Sequence, residues 1–431
     1  MTDDLDGPIE GQVRLRRPYF RIALVVSLAA ALIGAGYFGP HPAPQPTPSP
    51  ATSLLAAQPT PASSGTPVPG TDALAGLTQV SPRPGQIKQT WLPGQITSQS
   101  MAVVAGTLYF IVGGDRIEST AVGADGSWYG VAQVSQCQGI SQLAAAGHEL
   151  AYVVVSPGGP TSHTQDCGGA GQVSWSVWLL DLNSGLLRQV AQGVRAASSI
   201  DIAEFPIHLA VTDSAYAFNR PPQSAAAGLG EAVEVHAIDG PLLWTSHTQN
   251  PVADVMLGGS TLAIMTTVSP GAEGGVDLYT SSAADPEPAP VTQVAGSASL
   301  SPDGLHLAWD VANQGLFPAS NPRVEVAIES VGSGPARALT TLTDAVAPAP
   351  VRPSISSTSR GLVVTWFATA PDGAVYPAVR YAAGGNGAFL PSLQEPIWMS
   401  VQGGTLFWVA ESADGWSKAA FAVDLASLEL Q

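Results

Sequence analysis

The chain has 431 residues, 45% of them apolar and only 11% charged, with 46 glycines and 37 prolines. That apolar share excludes a wholly disordered chain, and so much Gly and Pro argues for turns and extended segments against a helical bundle. A formal charge of −17, from 33 acids against 16 bases, excludes nucleic acid as a partner, because phosphate binding needs clustered Lys and Arg.

Residues 22–39 read IALVVSLAAALIGAGYFG, without a charge. At about 1.5 Å per residue such a helix spans ~27 Å, enough for the hydrocarbon core of a bilayer. Arg14, Arg16, Arg17 and Arg21 precede it, and no Lys or Arg follows until Arg83. The positive-inside rule therefore predicts a single-pass protein of the cell membrane, with residues 1–21 as a cytoplasmic tail and the remainder outside. The alternative is a removable export signal. Arg16-Arg17-Pro18-Tyr19-Phe20-Arg21 loosely resembles a twin-arginine signal, and Gly34-Ala35-Gly36 offers small residues to a peptidase.

Residues 40–86 hold 12 prolines among Ala, Ser, Thr and Gln. Such a stretch buries no core and is expected to be a disordered linker biased toward polyproline conformations, reaching about 140 Å at ~3.1 Å per residue. It would hold the domain at 87–431 away from the bilayer.

Beyond the linker, short apolar runs alternate with Gly, Asn, Asp and Ser turns. Thr107–Val112, Leu150–Val155, Thr261–Met265, Leu305–Trp309, Leu362–Trp366 and Thr405–Val409 are successive examples. Each follows a turn and another short run, and each is followed by a loop and a third run. Units start near 100, 139, 199, 252, 297, 352 and 397. A strand, turn, strand, loop, strand pattern at this period predicts an all-β propeller of about seven (six to eight) four-stranded blades, since one blade cannot cover both of its own faces. A two-layer β-sandwich is the alternative, but more than 300 residues is large for one. In the third unit, His208–Val211 and Ala215–Phe218 compete for the inner strands. The closing strand is expected from residues 88–98 or from the C-terminus.

The segment Ser299-Leu300-Ser301-Pro302-Asp303-Gly304-Leu305-His306-Leu307-Ala308-Trp309 resembles the Ser-Pro-Asp-Gly repeat of TolB-type propellers, which are similar in their degenerate repeats to Trp-Asp-repeat propellers. The resemblance implies a tight turn in which Pro302 and Asp303 start the reversal and Gly304 takes a positive φ. Val235–Trp244 is similar to the repeats of quinoprotein-like propellers. Neither resemblance carries a catalytic residue across.

Two cysteines, Cys137 and Cys167, fall in the outer domain. In an oxidising compartment they are expected to pair as a structural disulfide, closing a loop worth ~3 kcal/mol in the chain-entropy model. The seven histidines form no His-Glu-x-x-His pair, no Gly-x-Ser-x-Gly elbow occurs, and Lys88 and Lys418 are the only lysines. Asp125, Asp181, Asp239, Asp303, Asp372 and Asp414 sit in turns, where aspartate ordinarily binds its own backbone. No cofactor is expected; carboxylates converging on an axial channel would suit Ca2+, although no Asp-x-Asp-x-Asp-Gly loop is present.

The reading that follows is a membrane-anchored, extracytoplasmic propeller acting as a scaffold for a protein or ligand, without catalysis of its own. Its acidic outer surface favours cationic partners or divalent ions. The alternatives are a hydrolase, lyase or lactonase using carboxylates at the propeller mouth, and a quinoprotein-like oxidoreductase. Low lysine with high Ala and Gly points to a GC-rich bacterial genome.

Overall fold

The computed structural model describes residues 77–428, except 84, 125, 158–171, 197–206, 222–229, 268–275, 294, 313–322, 332–336, 344–351, 370–373, 384–386, 391–394 and 413–416. The expected membrane helix at 22–39, its arginine flank (Arg14, Arg16, Arg17, Arg21) and residues 40–76 lie outside these residues, as do Cys167, Asp125, Asp372 and Asp414.

Two short strands come first, β1 (Leu77–Gln79) and β2 (Lys88–Leu92). Blade 1 is β3 (Ile96–Val104), β4 (Thr107–Val112), β5 (Arg116–Ala121) and β6 (Tyr129–Gln133). Blade 2 is β7 (Gly139–Ala146), β8 (Glu149–Pro157), β9 (Gln172–Asp181) and β10 (Leu187–Ala196). Blade 3 is β11 (Leu209–Val211), β12 (Ala215–Arg220), β13 (Ala232–Ala237) and β14 (Leu242–His247). Blade 4 is β15 (Val252–Gly258), β16 (Thr261–Thr267), β17 (Val276–Ser282) and β18 (Ala289–Gln293). Blade 5 is β19 (Ala295–Leu300), β20 (His306–Ala312), β21 (Arg323–Ser330) and β22 (Arg337–Thr343). Blade 6 is β23 (Ser354–Thr358), β24 (Gly361–Thr369), β25 (Val375–Tyr381) and β26 (Gly387–Phe389). Blade 7 is β27 (Glu395–Gln402), β28 (Thr405–Glu411) and β29 (Lys418–Asp424).

The fold is a seven-bladed, all-β propeller. The first strands touch one another in a ring that closes from β27 back to β3. Blade 7 is completed by β2, antiparallel to β29 with Lys88 opposite Ala422, so the N-terminal side of the domain supplies the outermost strand of the last blade. Strand β1 adds to blade 6, parallel to β26. The propeller therefore begins inside the stretch expected to be linker, before residue 87. A three-residue edge strand needs no apolar run, and Leu77 alone packs inward, against the core between blades 5 and 6.

The second strands read as continuous apolar runs because both of their faces are covered. In β4, Leu108, Phe110 and Val112 pack on blade 7 while Tyr109 and Ile111 pack on blade 2. In β16, Leu262 and Ile264 meet blade 3 and Ala263 and Met265 meet blade 5. Trp366 of β24 is wedged against blade 5, and Phe367, its neighbour in sequence, against blade 7. Each such side chain contributes roughly 1.5–3 kcal/mol by leaving water.

The Ser301-Pro302-Asp303-Gly304 turn has the geometry its sequence implies. Gly304 N donates to Ser301 O (2.8 Å), His306 N to Ser301 Oγ (2.9 Å) and Leu305 N to Asp303 Oδ1 (3.0 Å), with Gly304 at φ 73°. Ser301 Oγ also donates to Asp303 Oδ1. The turn docks on the preceding blade: Gly259 N donates to Pro302 O (3.0 Å), and a Cβ on Gly304 would overlap the Gly258 carbonyl oxygen.

Candidate functional site

The two ends of the propeller are built differently. Turns between first and second strands run from 105–106, 147–148, 259–260, 359–360 and 403–404 to 212–214 and 301–305, whereas connections between second and third strands are short in blades 1, 6 and 7 (113–115, 370–374, 412–417) and longer in blades 2 to 5 (158–171, 221–231, 268–275, 313–322). Long loops on a rigid scaffold are where recognition residues concentrate.

Polar networks support that long-loop end. Asn219, at the end of β12, donates from Nδ2 to Glu231 Oε2 (2.6 Å) and accepts at Oδ1 from His208 N (2.6 Å). Thr248 Oγ1 accepts from Glu231 N (3.3 Å) and donates to Asn250 O (2.8 Å). Burial pushes the Glu231 carboxyl up, opposed by Asn219 and the Val252 amide. His208 Nδ1 stands 3.9 Å from Asp254 Oδ1 on the inner strand of blade 4. Burial lowers the His208 pKa, and the Asp254 charge partly offsets the shift. In blade 5, buried Asp310 accepts at Oδ1 from Ser297 N (2.5 Å) and Oγ (2.9 Å), and burial raises its carboxyl too.

Between blades 2 and 3, Arg220 forks onto Glu234 (Nε to Oε1 2.7 Å, Nη2 to Oε2 3.0 Å) while its guanidinium lies 5.7 Å from the Trp175 ring centroid and 5.8 Å from that of Phe218. The Arg220 hydrogen bonds hold Glu234 below the usual carboxylate range against the effect of burial. His236 Nε2 lies 3.1 Å from Glu234 Oε2 and its ring stacks on Tyr216 with centroids 5.1 Å apart. On blade 2, a cleft of about 290 Å³ is lined by Gln138, Trp175, Trp178, Gln189, Gln192 and Val194. Aromatic faces beside side-chain amides suit an amphipathic ligand surface.

Cys137 sits beside this cleft at φ 73°, in a turn where Gln138 N donates to Ser135 O (3.1 Å) and Ser135 Oγ to Gln138 Oε1 (2.7 Å). Among the described residues there is no free cysteine. Asp181 and Asp303 bind their own backbone, as turn aspartates do. Asp239 instead pairs with Arg188 (2.6 Å).

At the tight-turn end, His148, Glu149 and Asp181 form a group whose ligand atoms lie within 4.8 Å of one another. Burial, then the Asp181 charge, raises the Glu149 carboxyl, against His148 and Arg188. Asp181 is lowered despite burial, because Ser184 and the Asn183 and Ser184 amides bond its carboxylate. Sequence reasoning noted His148 and Asp181 only as a scattered histidine and a turn acid. It missed Glu149, Glu231, Asp254 and Asp310, whose signal is an acid within or at the start of an apolar strand.

No protein-family model matches the chain, and no curated protein matches it. Solved structures do. The β-propeller domain of the Trilobed protease from Pyrococcus furiosus, described as having an open velcro topology, aligns with a TM-score of 0.50 at 9% identity over 78% of this chain and 96% of its own. An acylaminoacyl peptidase from Pyrococcus horikoshii gives 0.49 at 9% identity over 77% of this chain, which spans about half (52%) of that protein. A putative TolB from Agrobacterium tumefaciens gives 0.36 at 13% identity, over 57% of this chain and 80% of its own. The likeness is one of fold, with TolB and peptidase propellers among the similar structures.

Proposed function

We propose that the chain is a membrane-tethered, extracytoplasmic binding scaffold whose long-loop face engages a protein partner, with no catalysis of its own. The observation that carries this reading is that the longer second-to-third-strand connections of blades 2 to 5 and the buried polar networks of blades 3 and 5 belong to the same strand ends, opposite the tight first-to-second turns. The apolar run at 22–39 with its arginine flank, and the proline-rich stretch after it, support a tether with the domain on the extracytoplasmic side. Cross-linking and affinity purification of the full chain from native membranes tests the reading. One stoichiometric partner is expected, and its recovery should fall when 158–171 is replaced by a short Gly-Ser connection. A chain that comes out alone would overturn the scaffold reading.

The same compartment supports a Cys137–Cys167 disulfide. Cys137 directly precedes β7, and Cys167 falls in the sequence between β8 and β9 of the same blade. Thiol titration of the denatured chain should find no free thiol without reductant and two after reduction; two without reductant would refute the pairing.

A further inference from the structure

We infer that the tight-turn face of blade 2 holds a divalent transition-metal ion, with Zn2+ the best match, bound by His148, Glu149 and Asp181. The three come from strands and not from long loops. Glu149 opens β8 directly opposite Asp181, the last residue of β9, and Leu182 N donates to His148 O (2.8 Å), carrying the ladder one step further. Backbone pairing thus sets the spacing of the donors. His148 Nε2 is 3.5 Å from Glu149 Oε1, and tetrahedral Zn2+ with bonds of about 2.0–2.1 Å needs neighbouring ligand atoms roughly 3.3 Å apart.

The independent sign of a missing ligand is Glu149 itself. It is 2% exposed, and its Oε2 is enclosed without a hydrogen-bond partner. A buried carboxylate oxygen left bare costs far more than one that is bound. The nearby cation, whose charge reaches Glu149, makes no hydrogen bond to it: Arg188 Nη1 is taken by Asp239 Oδ1 (2.6 Å) and Ile238 O (3.0 Å), and Arg188 Nε is itself buried without a partner. Asp181 is pre-aimed, with Oδ1 accepting from Asn183 N (2.8 Å) and Ser184 N (3.2 Å) and Oδ2 from the Ser184 hydroxyl (2.7 Å). Such outer hydrogen bonds orient metal ligands. One imidazole with two carboxylates favours a borderline ion over Ca2+ or Mg2+, which prefer all-oxygen sites. The His148 side chain is 47% exposed, leaving a fourth position open to water.

The test uses the full chain, stripped with chelator and titrated with ZnCl2. We expect one Zn2+ retained per chain after dialysis and a rise in Tm on binding. His148→Ala and Asp181→Asn should each weaken binding at least tenfold, and His306→Ala, at a histidine outside the site, should leave it unchanged. His148 lies at the surface, so its variant folds even where Glu149→Gln does not. The visible spectrum of Co2+ bound in place of Zn2+ should be lost in His148→Ala. Uptake below one equivalent, or equal affinity in His148→Ala and the unmodified chain, would overturn the assignment.

Discussion

Gly304 tests whether the Ser-Pro-Asp-Gly turn locks one blade to the next. The perturbation is Gly304→Ala, with Gly106→Ala as its matched control. Both glycines sit in tight reversals at positive φ, 73° and 79°, but a Cβ at Gly106 meets nothing within 4 Å, whereas one at Gly304 would overlap the Gly258 carbonyl oxygen and approach Thr261 Cβ to 3.1 Å. Left-handed backbone costs a non-glycine residue about 1–2 kcal/mol, and this is common to both variants. Forcing backbone apart at a packed contact adds about 1–3 kcal/mol, because neither carbonyl nor turn can rotate away as a side chain would. Gly304→Ala is therefore expected to cost about 2–5 kcal/mol and Gly106→Ala about 1–2. In a domain of this size, at about 2 °C per kcal/mol, the Tm drops should be about 4–10 °C against 2–4 °C. Thermal unfolding followed by far-UV circular dichroism reads both drops. Equal drops in the two variants would refute the docking argument, as the strain would then be local to each turn.

Lys418 is buried and donates from Nζ to Ile96 O (2.7 Å) and Gly94 O (3.3 Å), tying β29 to the chain that leads into blade 1. Lys418→Met should lower the urea midpoint by the equivalent of about 1–3 kcal/mol, read by equilibrium unfolding. Glu234 has a depressed pKa, so the stability it supplies is present above the ordinary carboxylate range and lost as pH falls through its folded value. Arg220→Gln should flatten that acid limb in a Tm-against-pH series from pH 7 to 3. Asp310 has the opposite sign: its pKa is raised by burial, so its contribution is complete below the unfolded value and is lost as pH rises through the folded one. Asp310→Asn keeps an acceptor for Ser297, and should raise Tm near pH 7 while leaving it unchanged near pH 3; a lower Tm at pH 7 would show that the charge is stabilising.

Much of the blade register is legible in the sequence. Units expected near 139 and 252 begin at Gly139 and Val252, and those near 100, 297, 352 and 397 begin within a few residues of the inner strands. The reason is physical: second strands buried on both faces leave continuous apolar runs that turns cannot mimic. The third inner strand, expected near 199, starts at Leu209 and has only three residues, too short to imprint a pattern. Of the two competing runs, Leu209–Val211 forms the first strand of blade 3 and Ala215–Phe218 lies in the second. β2 was one of two expected closures, but nothing local distinguishes Lys-Gln-Thr-Trp-Leu as the partner of a strand more than 300 residues away. The polar groups were less legible still. His208 meets Asp254, and Glu149 meets Asp181, only once separate strands are set side by side.

The seam between β2 and β29 also decides how the ring would carry a load. Tension arriving along the chain from its N-terminal side reaches Leu77 before Lys88. It meets first the three residue pairs of β1 on blade 6, then the five of β2 on blade 7. β1 can peel away while the ring stays closed, since blade 6 keeps four strands of its own. Extending a few residues of slack there absorbs work that would otherwise shear the seam. The added strand is in this sense a mechanical fuse, set upstream of the strand that completes blade 7.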